Sequence, residues 1–256
     1  MDQQHLSARQ FGSNAAYYLA SPVHAAGADL ERLAAIAGQR PPARALDLGC
    51  GAGHVSFALA RGGAAAVTAY DPSPDMLAVV AAEAVARGHS GIATLAGAAE
   101  VLPIASRSID LIVTRYSAHH WADVPRALAE CARVLEPGGR LIVIDVTAPE
   151  SPLLDTCLQV VEFLRDGSHV RDYRVSEWRT LLAAAGFTAA AVDGWKIPMQ
   201  FESWIARIGT PAARVAALKT VIPAFPAEAH EYFRVTADCS FEIDTTWIES
   251  RLASTA

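Results

Sequence analysis

At 256 residues the chain is long enough to bury most of the surface that its unfolded form exposes. Its 52% apolar and 19% charged content excludes a disordered chain, and a net charge of -6 with no basic stripe argues against a binder of phosphate backbones. Cys50, Cys131, Cys157 and Cys239 lie far apart and form no CxxC pair, which fits a reducing compartment and offers no zinc framework. The opening MDQQHLSARQFGSNAAYY lacks the apolar run of a signal peptide, and no uninterrupted apolar stretch reaches the roughly 18 residues of a membrane span. A cytoplasmic protein is expected.

Strand and helix signals alternate from about residue 43 to 146. ARALDLGCG reads as a short apolar strand ending in a glycine turn, and GHVSFALARG as the helix after it. AAVTAYD is a second strand. SPDMLAVVAAEAVARG is a helix with Ser73 as its cap, Pro74 in its first turn and Gly88 as its stop. IATLAGA is a third strand, and IDLIVTRYS a fourth, apolar almost throughout as a doubly buried parallel strand should be. DVPRALAECARVLEPGG predicts a helix running to Pro137 and ending at Gly138-Gly139, and RLIVIDV a fifth strand. SPLLDTCLQVVEFLRD and SEWRTLLAAAGF read as helices, FTAAAVDGWKIPM as a strand, residues 201–220 as helix broken by Gly209 and Pro211, and SFEIDTTWIESRL as a last strand.

Strands separated by helices of this length imply βαβ units and a parallel sheet. The predicted fold is α/β: a doubly wound, mostly parallel sheet of seven strands with the last strand antiparallel. A helical N-terminal segment (1–39) and a helical insertion within 147–256 roof a core of about 40–146, all in one domain.

The central motif is Asp47-Leu48-Gly49-Cys50-Gly51-Ala52-Gly53, placed at a strand-to-helix turn where open α/β sheets bind ligands. Glycine there allows positive φ and lets a ligand lie against the backbone. The spacing is G-x-G-x-G, whereas the dinucleotide fingerprint G-x-G-x-x-G needs a glycine where His54 stands. Asp47 would serve a pyrophosphate poorly and a cation well. S-adenosylmethionine (SAM), with its sulfonium, amino group and no phosphate, suits such a loop. Asp71, at the end of the second strand, is placed to accept both ribose hydroxyls. Alone, it also reads as an ordinary turn acid before Pro72.

LDLGCGAGHVSF, AYDPSPDML, GAAEVLPIASRSIDLIVTRYSAHHW and RVLEPGGRLIVIDV resemble four successive motifs of class I SAM-dependent methyltransferases. The chain is most similar to the methyltransferase type 11 group that includes the ubiquinone and menaquinone C-methyltransferases. RQFGSNAAYYLASPVHAAGADL and HVRDY resemble a narrower bacterial group. The resemblance implies a Rossmann-like fold, with SAM as cofactor and S-adenosylhomocysteine (SAH) as product. It further implies that Gly49, Cys50 and Gly51 lie against the cofactor and that Asp47 reaches its amino group. Asp71 would hold the ribose, with Pro72 and Met76 near the adenine and Ala98 and Ala99 flanking it. The backbone of Arg115 would face the amino group. Family members often carry an acid where Ala98 stands, so adenine recognition must differ here.

Methyl transfer needs alignment, exclusion of water and, for a protonated acceptor, a base. The acceptor is expected past the fourth strand, which makes Tyr116, His119 and His120 the catalytic candidates. One His could equally cap the next helix while the other packs under Trp121. Adjacent imidazoles rarely chelate one ion, and no metal set is recognisable. His169, Arg171 and Tyr173 are candidates for the acceptor, Arg171 through its bidentate fork, although an Arg–Asp pair in a surface loop is an equal reading. Phe11, Tyr17, Tyr18 and His24 could belong to a lid. Trp195, Phe201, Trp204 and Phe225 are expected mostly in the core. The function expected is transfer of methyl to oxygen or carbon of a small organic acceptor by a monomer or homodimer, without nucleic acid. A SAM-binding regulatory or scaffold protein without turnover and a nicotinamide-dependent oxidoreductase are the alternatives.

Overall fold

The computed structural model describes residues 3–12 and 27–253. Five short apolar runs form the centre of its sheet. β1 (Ala45–Leu48), β2 (Val67–Asp71), β3 (Ile92–Ala96), β4 (Ile109–Arg115) and β5 (Leu135–Val146) pair in parallel in the order β3-β2-β1-β4-β5. In β1, β4 and β5 the side chains alternate between two buried faces, as the period of two of an extended chain requires, while β3 lies at the sheet edge and is largely exposed. Leu46, Leu48, Ile112, Leu141 and Val143 face one core, and Ala45, Leu111, Val113, Ile142 and Ile144 face the other. β6 (Phe187–Met199) and β7 (Phe241–Leu252) complete the seven strands. β7 lies between β5 and β6 and is antiparallel to both. This is the predicted sheet.

Helices cover both faces. α2 (Ala28–Gln39) and α3 (His54–Arg61) pack on the side of Ile142 and Ile144, where Leu33, Val55 and Leu59 are buried. α4 (Pro74–Ala86) starts as the sequence indicates, with Ser73 Oγ accepting from Met76 N–H at 3.3 Å. α5 (Val124–Val134) is capped by Asp123, whose carboxylate accepts from Arg126 N–H at 3.0 Å. It buries Val124, Ala127, Leu128, Cys131 and Val134, a stripe at helical spacing, opposite the other core. α5 stops earlier than predicted. Leu135 is already extended (φ -69°, ψ 141°) and pairs with Ile109 as the first residue of β5. Pro137 bars Glu136 from helical geometry, so the chain leaves the helix ahead of the proline and not at the two glycines.

Beyond β5, α6 (Pro152–Arg165) and α7 (Val175–Ala184) precede β6. α8 (Phe201–Ala206), α9 (Ala212–Val221) and α10 (Ala227–Tyr232) fill the connection from β6 to β7, and Gly209 and Pro211 separate α8 from α9 as predicted. These helices share an apolar cluster with the ends of β6 and β7: Leu158, Phe201, Trp204, Leu218, Phe233 and Phe241. Phe225 packs against that cluster and Trp195 against the α2–α3 core, so the four aromatics sit in or against cores.

α1 (Gln3–Gly12) is pinned at two points. Gln3 Nε2 donates to the carbonyls of His120 and Ser168, and Gln10 Nε2 donates to that of Ile208 at 2.7 Å. Tyr17, Tyr18, His24 and the side chain of Phe11 lie outside the described residues.

Candidate functional site

The turn from β1 to α3 is built around two different glycine requirements. Gly49 (φ +73°) faces the loop after β4 so closely that a Cβ would fall 1.8 Å from Ser117 Oγ. Gly51 (φ +49°) has nothing within 4 Å of that position, so its backbone borders open space. Gly49 N–H and Cys50 N–H both donate to Tyr70 O, at 2.8 and 3.0 Å, which ties the turn to β2.

Two buried carboxylates flank this turn. Asp47 Oδ2 accepts from Ser56 N–H at 2.9 Å and from Ser56 Oγ at 2.7 Å, anchoring the first turn of α3. Burial raises its pKa to about 7 despite those two bonds. Asp71 Oδ2 accepts from Gly51 N–H and Oδ1 from Ser73 N–H, each at 2.9 Å, and burial raises it to about 6. The turn residue between them is no nucleophile. Burial, with Asp71 and Asp47 nearby, drives the Cys50 thiol pKa well up.

These groups border a cleft at the carboxyl ends of the strands. Asp47, Gly49, Cys50, Gly51, Asp71, Pro72, Met76, Ala98, Ala99 and Arg115 all line it. So do Tyr116 and His120, and α1 contributes Ala8 to its roof. Arg115 is the only Lys or Arg among the described lining residues, and its guanidinium is paired with Asp29 in a buried ion pair. Tyr116 takes an unusual positive φ of 52° and is buried, which raises its phenol to about 12.

The remaining candidates sit behind the cleft wall. His119 Nδ1 lies 2.6 Å from Asp145 Oδ1, and Asp145 Oδ2 accepts from Ala118 and His119 N–H. Burial pulls the His119 pKa down, but the Asp145 carboxylate, with Asp172 and Glu162 behind it, outweighs burial and the ring is raised to about 9. His169 Nε2 is 3.0 Å from Gln159 Oε1. Arg171 Nη2 donates to Asp155 Oδ2 at 2.8 Å and to both Glu177 oxygens at 3.3 Å. Tyr173 packs on Trp178, ring centroids 5.6 Å apart. Neither His119 nor any of His169, Arg171 and Tyr173 lines the cleft.

His54 and Glu100 also line the cleft and were not singled out by the sequence, and Ser117 and Trp121 line it within the stretch past the fourth strand where the acceptor is expected. Glu100 Oε1 accepts from Ala122 and Asp123 N–H, and Ser117 Oγ accepts from Trp121 Nε1 at 3.2 Å. No group of three or more His, Cys, Asp or Glu among the described residues is arranged to hold a metal ion.

The donor set fits an adenosyl sulfonium. Two carboxylates face the cleft, the backbone at Gly51 is open to close approach, and the single guanidinium is already neutralised by an acid. A phosphate would find no uncommitted Lys or Arg there among the described residues.

Comparison with known proteins agrees. Residues 46–143 match a family model described as a methyltransferase domain. The uncharacterized protein YafE of Escherichia coli is 45% identical over 74% of this chain and 91% of its own length. The uncharacterized methyltransferase YcgJ of Bacillus subtilis is 37% identical over 88% of this chain and 89% of its own. The YcgJ crystal structure superposes with a TM-score of 0.83, covering 88% of this chain and 99% of that one at 33% identity. A demethylmenaquinone methyltransferase of Thermus thermophilus is 36% identical over 48% of this chain and 57% of its own. The chain therefore belongs to the methyltransferase type 11 family of class I SAM-dependent methyltransferases.

Proposed function

We propose that this protein transfers methyl from SAM to oxygen or carbon of a small organic acceptor, acting in the cytoplasm as one domain without nucleic acid. The observation that carries this reading is the cleft itself, with two buried carboxylates on either side of an open glycine turn. When bound, SAM supplies an electrophilic methyl group on a cationic sulfur.

The chain's own groups supply the rest. Asp71 already accepts one backbone N–H on each oxygen, which leaves a second lone pair on each for the two ribose hydroxyls. Both bonds of Asp47 fall on Oδ2, so Oδ1 is left for the cofactor's amino group, directly or through water. Gly49, Cys50 and Gly51 present backbone. Pro72, Met76, Ala98 and Ala99 pack around the base, and the backbone of Arg115 closes the amino-acid end. The acceptor is placed against Tyr116, His120 and Trp121, which line the cleft, and not against His169, Arg171 or Tyr173, which are engaged elsewhere. α1 above them helps to exclude water.

Calorimetric titration with SAH tests the assignment. Asp71→Ala is expected to weaken binding by about tenfold or more, as loss of a charge-assisted hydrogen bond worth roughly 1.5–3 kcal/mol requires. Unchanged affinity would remove Asp71 from the site.

A further inference from the structure

Three acids line the cleft among the described residues, and the proposed cofactor contacts use two of them, Asp47 and Asp71. The third is Glu100. It lies just past β3, it is only 7% exposed, and nothing in the methyl-transfer step requires it. A carboxylate is costly to bury unless its oxygens find donors.

The turn that carries Glu100 is held firmly. Tyr70 Oη, from β2, donates to Val101 O at 2.7 Å and faces Ala98 O at 3.2 Å. Gly97 passes so close to that phenol that a Cβ would fall 2.0 Å from its oxygen. Just beyond, Leu102 N–H donates to Glu130 Oε2 at 2.8 Å. From this fixed turn Glu100 reaches across to the loop after β4, where Oε1 accepts from Ala122 N–H at 2.9 Å and from Asp123 N–H at 3.2 Å. Both bonds fall on Oε1. Oε2 takes none from the described residues, and it is not one of the buried polar atoms sealed away from a partner, so it borders the open space of the cleft. The side chain is pinned at one oxygen and presents the other.

The order of the strands fixes what Oε2 meets. Asp71 ends β2 and pairs with Ala96 at the end of β3, and Gly97 N–H donates to Asp71 O at 3.2 Å. Asp47 lies on the opposite side of β2, on β1. A nucleoside with its ribose on Asp71 and its amino-acid end toward Asp47 therefore carries its base over residues 97–100. Gly97, Ala98 and Ala99 have no side-chain hydrogen-bonding group, so Glu100 supplies the side-chain acceptor of that turn.

We propose that Glu100 Oε2 accepts from the exocyclic amino group of the adenine, and that this contact makes the cleft selective for a 6-aminopurine. It rests on the reading of the cleft as an adenosyl site. A carboxylate oxygen only accepts. A base with a carbonyl in place of the amino group sets two acceptors against each other and leaves Oε2 without a donor. Shape offers little discrimination, because the two bases are almost the same size, and an unpaired buried polar group offers much more.

Calorimetry with SAH and with its 6-oxo analogue, S-inosylhomocysteine, tests the assignment. The wild type is expected to bind SAH about tenfold to a hundredfold more tightly than the analogue. In Glu100→Gln the amide oxygen can stay on the two loop N–H groups while the amide NH2 takes the place of Oε2, turning an acceptor into a donor. The preference should therefore shrink by at least about tenfold, with SAH weakened and the analogue tightened relative to the wild type. Equal affinities in the wild type overturn the assignment. So does a Glu100→Gln protein that loses both ligands alike, which is what a role confined to holding the 122–123 loop gives, or one that leaves both unchanged. Wild-type crystals with SAH give a readout that needs no variant: Oε2 is expected within hydrogen-bond distance of the adenine amino group, and an amino group directed elsewhere overturns the assignment. Binding of neither ligand by the wild type contradicts the adenosyl reading itself, and this contact with it.

Discussion

Asp47 and Asp71 hold their carboxyl groups largely buried at the wall of the cleft, and that makes them sensitive to pH in a definite direction. Their folded pKa values, about 7 and about 6, lie above the ordinary 3.8. Between 3.8 and those values the folded chain binds protons that the unfolded chain has released, so these groups subtract stability as pH rises through that window. A cationic amino group beside Asp47 reverses the preference. SAH affinity is therefore expected to rise by about tenfold from about pH 5.5 to about pH 8, and Asp47→Asn should flatten that rise in calorimetry. His119 has the opposite sign. Its pKa is raised from 6.5 to about 9, so its pairing with Asp145 stabilises fully below 6.5 and is lost as pH rises through 9. The shift corresponds to about 3 kcal/mol. Denaturant unfolding should show the wild type more stable than Asp145→Asn at neutral pH, with the gap closing in alkali.

At this scale most of the cleft lining could be read from the sequence, because Asp47–Gly51 and Asp71–Met76 fall within two short segments at the ends of the adjacent strands β1 and β2. His119 and His120 could not be told apart, because what separates them is Asp145 on one side and Asp166 with Ser168 on the other, residues distant in sequence. Arg171 kept two readings for the same reason. Its partners Asp155 and Glu177 lie on two different helices, and only folding brings them together.

Among the elements, the turn after β1 separates packing from binding. Gly49→Ala would put a Cβ into Ser117 on a left-handed backbone, and a loss of roughly 2–4 kcal/mol in thermal or denaturant unfolding is expected. Gly51→Ala meets open space, so it should cost roughly 1–2 kcal/mol from backbone strain alone and weaken SAH binding instead. Ser73→Ala removes the cap of α4 and should cost about 1 kcal/mol. That cap was legible because its chemistry is local. α5 ends ahead of the Pro137 that the sequence marks as its exit because the pairing of Leu135 with Ile109, a long-range contact, recruits the end of the helical run into β5.

For the molecule as a whole, alternation along the strands was enough to define the sheet, since each central strand is apolar on both sides. Of the helices between β6 and β7, α8 and α9 were visible and α10 was not, nor was the purpose of any of them. Phe201 and Trp204 were expected in the core, and in the structure they close a separate apolar cluster with Phe241, the Trp204 and Phe241 rings edge to face at 5.0 Å. The cleft is bordered by β1, β2, the turns after β3 and β4, and α1, so a bound ligand should stabilise all of them at once. SAH at a hundredfold excess over its dissociation constant adds about 2.7 kcal/mol, which should raise the melting temperature by roughly 5–10 °C.

The most direct measurement is a crystal structure grown with SAH. The nucleoside is expected in the cleft, with its ribose hydroxyls on Asp71, its amino group toward Asp47 and its sulfur facing His120. An empty cleft, or SAH bound elsewhere on the molecule, would contradict it.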